Sequence, residues 1–202
     1  GYLASIHFAD AMVGRVMESL ESSPQRDNTI VVLWSDHGWH LGEKEHWQKF
    51  TGWRVCDRVP LIVRVPKGVS GLPEGTLAGS VCDRVVSLVD LFRTLADLCG
   101  LPDKPDTMGR SLVPLLRDPS APWPHAAITH LDQPDSYAIS AERWRYIHYK
   151  GGDEELYDIQ SDPHEWTNLA PRIEHTAKLT EMQAVAPKDI TPLPVMEKKQ
   201  KN

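Results

Sequence analysis

Residues 29–38 read TIVVLWSDHG. The run from Thr29 to Trp34 is continuously apolar after its first residue and β-branched at its start. That pattern suits a strand covered on both faces, as in a parallel sheet. It stops at Ser35, and Asp36, His37 and Gly38 follow at once. In open α/β sheets the carboxyl edge of the strands is where ligands sit. Asp36 offers a hard oxygen and His37 a ring nitrogen, and neighbours at a strand end can reach one cation. Gly38 allows a sharp turn or close backbone approach. Asp-His-Gly alone is a weak signal. The next residues, WHLGEKEHWQKF (39–50), strengthen it by adding His40, His46, Lys44, Lys49, Glu43 and Glu45.

Upstream, Leu3, Ile6, Ala9, Met12, Val13, Val16 and Leu20 recur at helical spacing. SSPQRDN (22–28) is a connector of turn formers. Helix, short loop and buried strand make half of a βαβ unit. Downstream, RVPLIVRV (58–65) reads as a second strand and PKGVSGLPEG (66–75) as a loop. SVCDRVVSLVDLFRTLADLCG (80–100) reads as a short strand and a helix, with Ser87 or Asp90 as cap and Gly100 at its end. The stretch 101–124 is Pro-rich, with one helical turn expected at Ser111–Leu116.

Beyond it the character changes. HAAITHL, SYAISAE, WRYIHYK and EELYDI are short, alternating and aromatic, as antiparallel strands are. Asp162–Pro163 marks a turn, and a modest helix is expected near Glu174–Gln183. The expected organisation is an α/β part over 1–120, a small antiparallel subdomain over 121–186 and a disordered tail over 187–202.

The chain has 202 residues, 41% of them hydrophobic and 25% charged, with net charge −6 and pI near 5.8. This is the composition of a globular protein able to bury a core. The acidic balance argues against a general nucleic-acid binder, and no apolar run approaches a membrane span. The chain opens without Met on a helix pattern, so it is expected to be a piece of a longer protein. Cys56, Cys82 and Cys99 form no CxxC pair and read as buried free thiols.

The string WSDHGWHLGEKEHWQKFTGWRVCDRVPLIVRVPKG (34–68) resembles the sulfatase family of the alkaline phosphatase superfamily, in its iduronate-2-sulfatase-like group. YLASIHFADAMVGRVMESL, SVCDRVVSLVDLFRTLADLCGLP, GRSLVPLL and ELYDIQSDPHEWTNLA extend the resemblance over most of the chain. It implies the C-terminal part of a mixed, mainly parallel sheet flanked by helices, plus a small antiparallel β subdomain with a C-terminal helix. It implies Asp36 and His37 as ligands to a divalent cation, usually Ca²⁺, and Lys49 as a contact to the substrate sulfate. Electrostatic stabilisation of a sulfate ester needs such cationic groups. A His ligand is more natural for Zn²⁺ or Mn²⁺, which leaves the metal open.

The family's nucleophile, a formylglycine made from Cys or Ser in C/S-x-P/A-x-R, has no counterpart at any Cys here. Ser22-Ser23-Pro24-Gln25-Arg26 matches the letters but sits in the helix-to-strand connector. The implied parent hydrolyses sulfate esters of sugars or glycosaminoglycans, its other half supplies the remaining groups, and the isolated chain is inactive. Neither nucleic acid nor membrane is an expected partner, and the family implies export.

Two alternatives stay open: a phosphatase or phosphonate monoester hydrolase of the same superfamily, and a non-catalytic binder of metal or sulfated glycan. His40 is expected on the pocket wall as a substrate-binding residue, and His46 as structural or exposed. His37, His40 and His46 also have the spacing of a zinc site. Lys44 and Glu43 are expected to be solvated and Arg58 to anchor an ion pair. The tryptophans are expected to pack core and loop. His130 and Asp132 are possible reaches from the second subdomain.

Overall fold

The computed structural model describes residues 1–69 and 78–187. The tail expected over 187–202 therefore lies outside the described residues from 188 on, as does the 70–75 part of the expected loop. Helix α1 (Tyr2–Glu21) follows the helical spacing of its apolar residues. The connector closes it: Ser22 Oγ donates to Glu18 O at 2.9 Å. SSPQR is thus a helix stop and turn. None of the residues of α1 is buried, and Leu3, Phe8 and Val16 stay exposed.

Strand β1 (Val31–Trp34) is followed by the two-residue strands β2 (His40–Leu41) and β3 (Trp47–Gln48), then helix α2 (Arg54–Asp57) and strand β4 (Leu61–Arg64). β1 pairs with β4 antiparallel, from Val31↔Arg64 to Trp34↔Leu61, and β2 with β3 as a hairpin. The expectation that 29–35 is covered on both faces is corrected here: Leu33, Trp34 and Ile62 remain exposed. Among the described residues, β1 and β4 form a two-stranded ribbon with no further strand beside it. The apolar run records a demand for burial that these residues do not meet.

The strand expected before the next helix does not form. Residues 81–86 are held instead by side-chain contacts. Arg84 donates to Ala121 O (3.2 Å) and Ser120 O (2.8 Å), and Trp123 Nε1 donates to Val85 O (2.9 Å). Without a neighbouring strand, apolar alternation has no ladder to join. Helix α3 (Asp90–Leu98) starts where expected. The N-cap is Val89, with no side-chain cap bond; the Asp90 carboxylate instead accepts from Ser87 N (2.9 Å) and Arg110 N (2.8 Å), tying the flanking loops to the start of α3. Helix α4 (Val113–Arg117) fills the expected turn, with Pro114 in its first turn.

Strands β5 (Ala127–His130), β6 (Tyr137–Ser140), β7 (Trp144–His148) and β8 (Glu154–Asp158) form an antiparallel meander in sequence order. Side chains alternate across it. Tyr137, Ile139, Tyr146 and Leu156 face helix α5 (Thr176–Gln183) and bury Met182. Ala138, Ile147 and Tyr157 face the other way and pack against Trp53, from the segment between β3 and α2. The sheet is therefore covered on its second face by the stretch that follows the Asp-His-Gly turn. That contact crosses the expected boundary at residue 120. Among the described residues no helix is long and apolar enough to cross a membrane.

The sheet carries an acid-sensitive pair at its edge. Arg143 binds Asp158 through both oxygens, at 2.9 and 2.6 Å. The hydrogen bonds from Arg143 hold the Asp158 carboxyl down at about 2. A depressed folded value contributes stability above the unfolded carboxyl range, and that stability is lost as pH falls toward 2. Arg143→Gln is expected to remove that acid-labile contribution. Urea unfolding at pH 7 and pH 3 should show a smaller pH difference than in the parent chain; an unchanged difference would contradict it.

Candidate functional site

β1 carries the chain to Ser35, whose hydroxyl donates to His37 O at 2.8 Å and tightens the turn. His37 Nδ1 lies 2.8 Å from Gly38 O. A carbonyl oxygen only accepts, so Nδ1 carries the proton and Nε2 presents its lone pair. Gly38 N donates to Cys56 O at 2.5 Å. A Cβ on Gly38 would run into Val55 O and lie 3.1 Å from the Cys56 carbonyl, so only glycine lets the two backbones approach this closely.

The β2–β3 hairpin then turns through a short 3-10 segment at Glu43–Glu45. Its backbone is unusual. Lys44 (φ 53°), Glu45 (φ 58°), Gln48 (φ 77°) and Phe50 (φ 72°) all take positive φ, costly for residues with a Cβ. Glu43 compensates in part: its carboxylate accepts from Leu41 N at 2.6 Å, and backbone N–H donors lower its pKa.

Asp36, His37 and Lys49 come together at the end of β1. Lys49 Nζ donates to His37 Nε2 at 2.9 Å, and Asp36 Oδ2 lies 3.5 Å from the same nitrogen. Asp36 is open to solvent and His37 partly so. The Lys49 ammonium also lies 5.1 Å from the centre of the Phe50 ring. The result is a half-exposed cluster of one carboxylate, one imidazole and one ammonium.

The donor set suits a divalent cation in part. His37 donates its other ring N–H to a backbone carbonyl, the arrangement that orients a metal-binding imidazole. Its Nε2 lone pair accepts from the Lys49 ammonium and lies 3.5 Å from the Asp36 carboxylate, so a cation there would take the place of the ammonium. In kind and direction the pair fits a cation. Two donors do not fill the roughly six to eight positions of Ca²⁺. The described residues contain no group of three or more His, Cys, Asp or Glu side chains able to hold one.

His40 is not on an open wall. It is 0% exposed, hydrogen-bonded through Nε2 to Thr51 Oγ1 at 2.6 Å, and packed edge-on against His46 and Trp53. Burial, then the neighbouring His46, lower its pKa. Its placement two residues past Gly38, on the inner side of the hairpin, turns it away from solvent. His46 is a half-buried packing partner whose Nε2 lies 3.3 Å from Lys49 O. The three histidines thus do not converge as a zinc site. His130 and Asp132 are exposed at and beyond the end of β5.

Lys44, expected in solvent, is pinned instead. Its ammonium donates to Tyr157 OH (2.9 Å) and Glu165 O (2.6 Å), over the rings of Trp53 and Tyr157. Burial lowers its pKa, opposed by Glu155, Glu165 and Asp162.

Beneath the loop lies a charged group that the sequence reading did not identify. Arg145 is 2% exposed. Its guanidinium donates to Gly52 O, to the Asp57 carboxylate and to Ser140 Oγ, and its Nε lies 3.6 Å from Glu165 Oε1. Glu165 Oε2 accepts from Arg54 N at 2.8 Å. Burial raises the Glu165 pKa, and Arg145 is the chief group opposing that. Arg145 occupies an inward position of the alternating β7, where a charge between apolar neighbours was the available signal. Arg58, expected to anchor an ion pair, is exposed and forms none among the described residues.

A sulfatase family model matches residues 1–101 of the chain. A sulfatase of Formosa agariphila is 36% identical over 187 residues, covering 93% of this chain and 35% of the relative. An N-acetylglucosamine-6-O-sulfatase of Bacteroides thetaiotaomicron is 33% identical, covering 90% of this chain and 33% of the relative. A solved structure of a protein in complex with its substrate, D-glucosamine-2-N,6-O-disulfate, superposes with a TM-score of 0.80 at 31% identity, covering 91% of this chain and 38% of that one. The chain spans about a third of the length of these curated relatives.

Proposed function

The chain belongs to the sulfatase family, and from that premise we propose that it forms part of a sulfate-ester hydrolysis site completed by further residues of a parent protein. Its fold is α/β, of the alkaline-phosphatase-like kind found in its structural neighbours, with a small antiparallel sheet. The observation that carries the proposal is the meeting of Asp36, His37 and Lys49 at the end of β1, within 3.5 Å of His37 Nε2.

In this reading Asp36 and His37 hold a divalent cation and Lys49 binds the sulfate. Such a cation supplies Lewis-acid stabilisation of charge on the sulfate oxygens and on the oxygen that leaves. The chain's own contribution is positional. Asp36 offers a carboxylate oxygen, and His37, with its proton fixed on Nδ1, offers Nε2. Lys49 exchanges its bond to His37 for one to a sulfate oxygen, adding an ammonium where negative charge must be held. The nucleophile, formylglycine by family, comes from outside this chain. The substrate class is a sulfated carbohydrate, supported by the relatives' names and by the disulfated glucosamine bound in the structural neighbour.

Two measurements test this. Lys49→Ala is expected to weaken inorganic sulfate binding, followed by NMR, about tenfold, the equivalent of one lost charge-assisted hydrogen bond. Unchanged affinity would remove Lys49 from the site. The purified chain is expected to leave 4-nitrophenyl sulfate intact with Ca²⁺ or Zn²⁺ present; turnover above a metal-free control would show a nucleophile within it.

A further inference from the structure

Lys49 is placed by a weak piece of structure. It directly follows β3, the second strand of a hairpin with only two ladder pairs, His40↔Gln48 and Leu41↔Trp47. Hairpins of that size are marginal without outside support. The backbone of this one is also strained, with positive φ at Lys44, Glu45, Gln48 and, just past Lys49, Phe50. Strained residues persist where their surroundings over-determine them.

The support acts at the hairpin tip. Lys44 reaches from there into a niche on the second face of the four-stranded sheet. Its ammonium stands 4.2 Å from the Trp53 ring centre and 4.6 Å from that of Tyr157. It donates to Tyr157 OH and to Glu165 O. A partly desolvated cation over two rings with two acceptors is a firm anchor. Glu165 holds the far end of the same loop through Arg54 N. One residue of the sheet subdomain therefore grips the loop on both sides of Lys49.

We infer that Lys44 is a positioning residue, whose anchorage between Trp53, Tyr157 and Glu165 sets the hairpin so that Lys49 stands against His37. The inference rests on the reading of Lys49 as the sulfate contact, but its geometric part can be judged without it. A lysine at a hairpin tip is ordinarily a solvated charge. Here it spends its ammonium on the protein, and the segment it orders ends at the cation beside His37.

The test uses the whole chain, isotope-labelled, with Lys44→Met and Lys44→Arg. Met keeps length and removes charge; Arg keeps a cation that donates and stacks. Lys44→Met is expected to abolish the nuclear Overhauser contact between the Lys49 side chain and the His37 ring. It should also weaken inorganic sulfate binding about tenfold. Amide signals of the four-stranded sheet should hold their positions, and Lys44→Arg should recover most of both readouts. The inference is overturned if Lys44→Met keeps the contact and the affinity, or if Arg and Met behave alike. Loss of sheet dispersion in Lys44→Met would also overturn it, since Lys44 would then support the whole fold. If Lys49→Ala leaves sulfate affinity unchanged, the anion reading fails, and the contact to His37 alone decides the role of Lys44.

Discussion

Arg145→Met is expected to cost about 3–5 kcal/mol, the usual penalty for removing one partner of a buried ion pair. That is a large share of the roughly 5–15 kcal/mol that holds an ordinary domain folded. Met restores most of the volume but none of the donors. Gly52 O, the Asp57 carboxylate and Glu165 lose their common cation at once. Asp57 keeps its bond with Thr129 Oγ1 at 3.2 Å. Among the described residues Glu165 Oε1 has no hydrogen-bond partner and depends on the nearby guanidinium.

The pH dependence gives a sharper signature. The Glu165 pKa is raised by burial and held back chiefly by Arg145. A carboxyl that is harder to ionise folded than unfolded favours the fold below its unfolded pKa. That advantage disappears as pH rises through the raised value. Without Arg145 the raise grows, so Arg145→Met should be penalised more at pH 7 than at pH 5. Glu165→Gln in the same background should flatten the difference. Urea midpoints at the two pH values decide it, and a loss below about 1 kcal/mol would mean that the pair is dispensable.

The second large effect is expected at Gly38. Gly38→Ala adds one methyl where the Val55 carbonyl already stands, with Cys56 backbone atoms 3.1 Å away. Both obstacles are backbone, so no side chain can rotate aside. The 2.5 Å bond from Gly38 N to Cys56 O must open. Overpacking of this kind costs about 1–3 kcal/mol. The displacement falls on the residue after His37, so its carbonyl should release Nδ1 and free the ring. The expected result is lower stability together with loss of the Lys49–His37 contact in NMR. A variant with parental stability and that contact intact would show that the two strands of backbone separate freely.

These two positions differ in how visible they are beforehand. Gly38 sits inside a local pattern, an apolar run ending in Asp-His-Gly, and its need for glycine is a matter of backbone approach. The four strands of the meander and the Asp162–Pro163 turn were legible for the same reason. Alternation and turn chemistry act over a few residues. Arg145 is different. It reaches Gly52 and Asp57 from far along the chain, and alternation marked its side of the sheet but not what would lie there. Lys44 and His40 were misjudged by the same limit: one read as a solvated tip, the other as a pocket wall. Each instead meets residues brought by folding, Tyr157 and Glu165 for Lys44, Thr51 and Trp53 for His40.

The sequence by itself determined the α1–β1 unit, the turn that presents Asp36 and His37, the antiparallel meander and the membership of a family. Short-range periodicity carries the elements and the turn, and resemblance of the motifs carries the family. Only the tertiary structure decided that β1 pairs antiparallel with β4, that residues 81–86 form no strand, and that Tyr157 and Glu165 contact the loop bearing Lys49. Those outcomes depend on which distant surfaces meet. Hydrogen bonds, ion pairs and desolvation are settled by that meeting, and local pattern does not encode it.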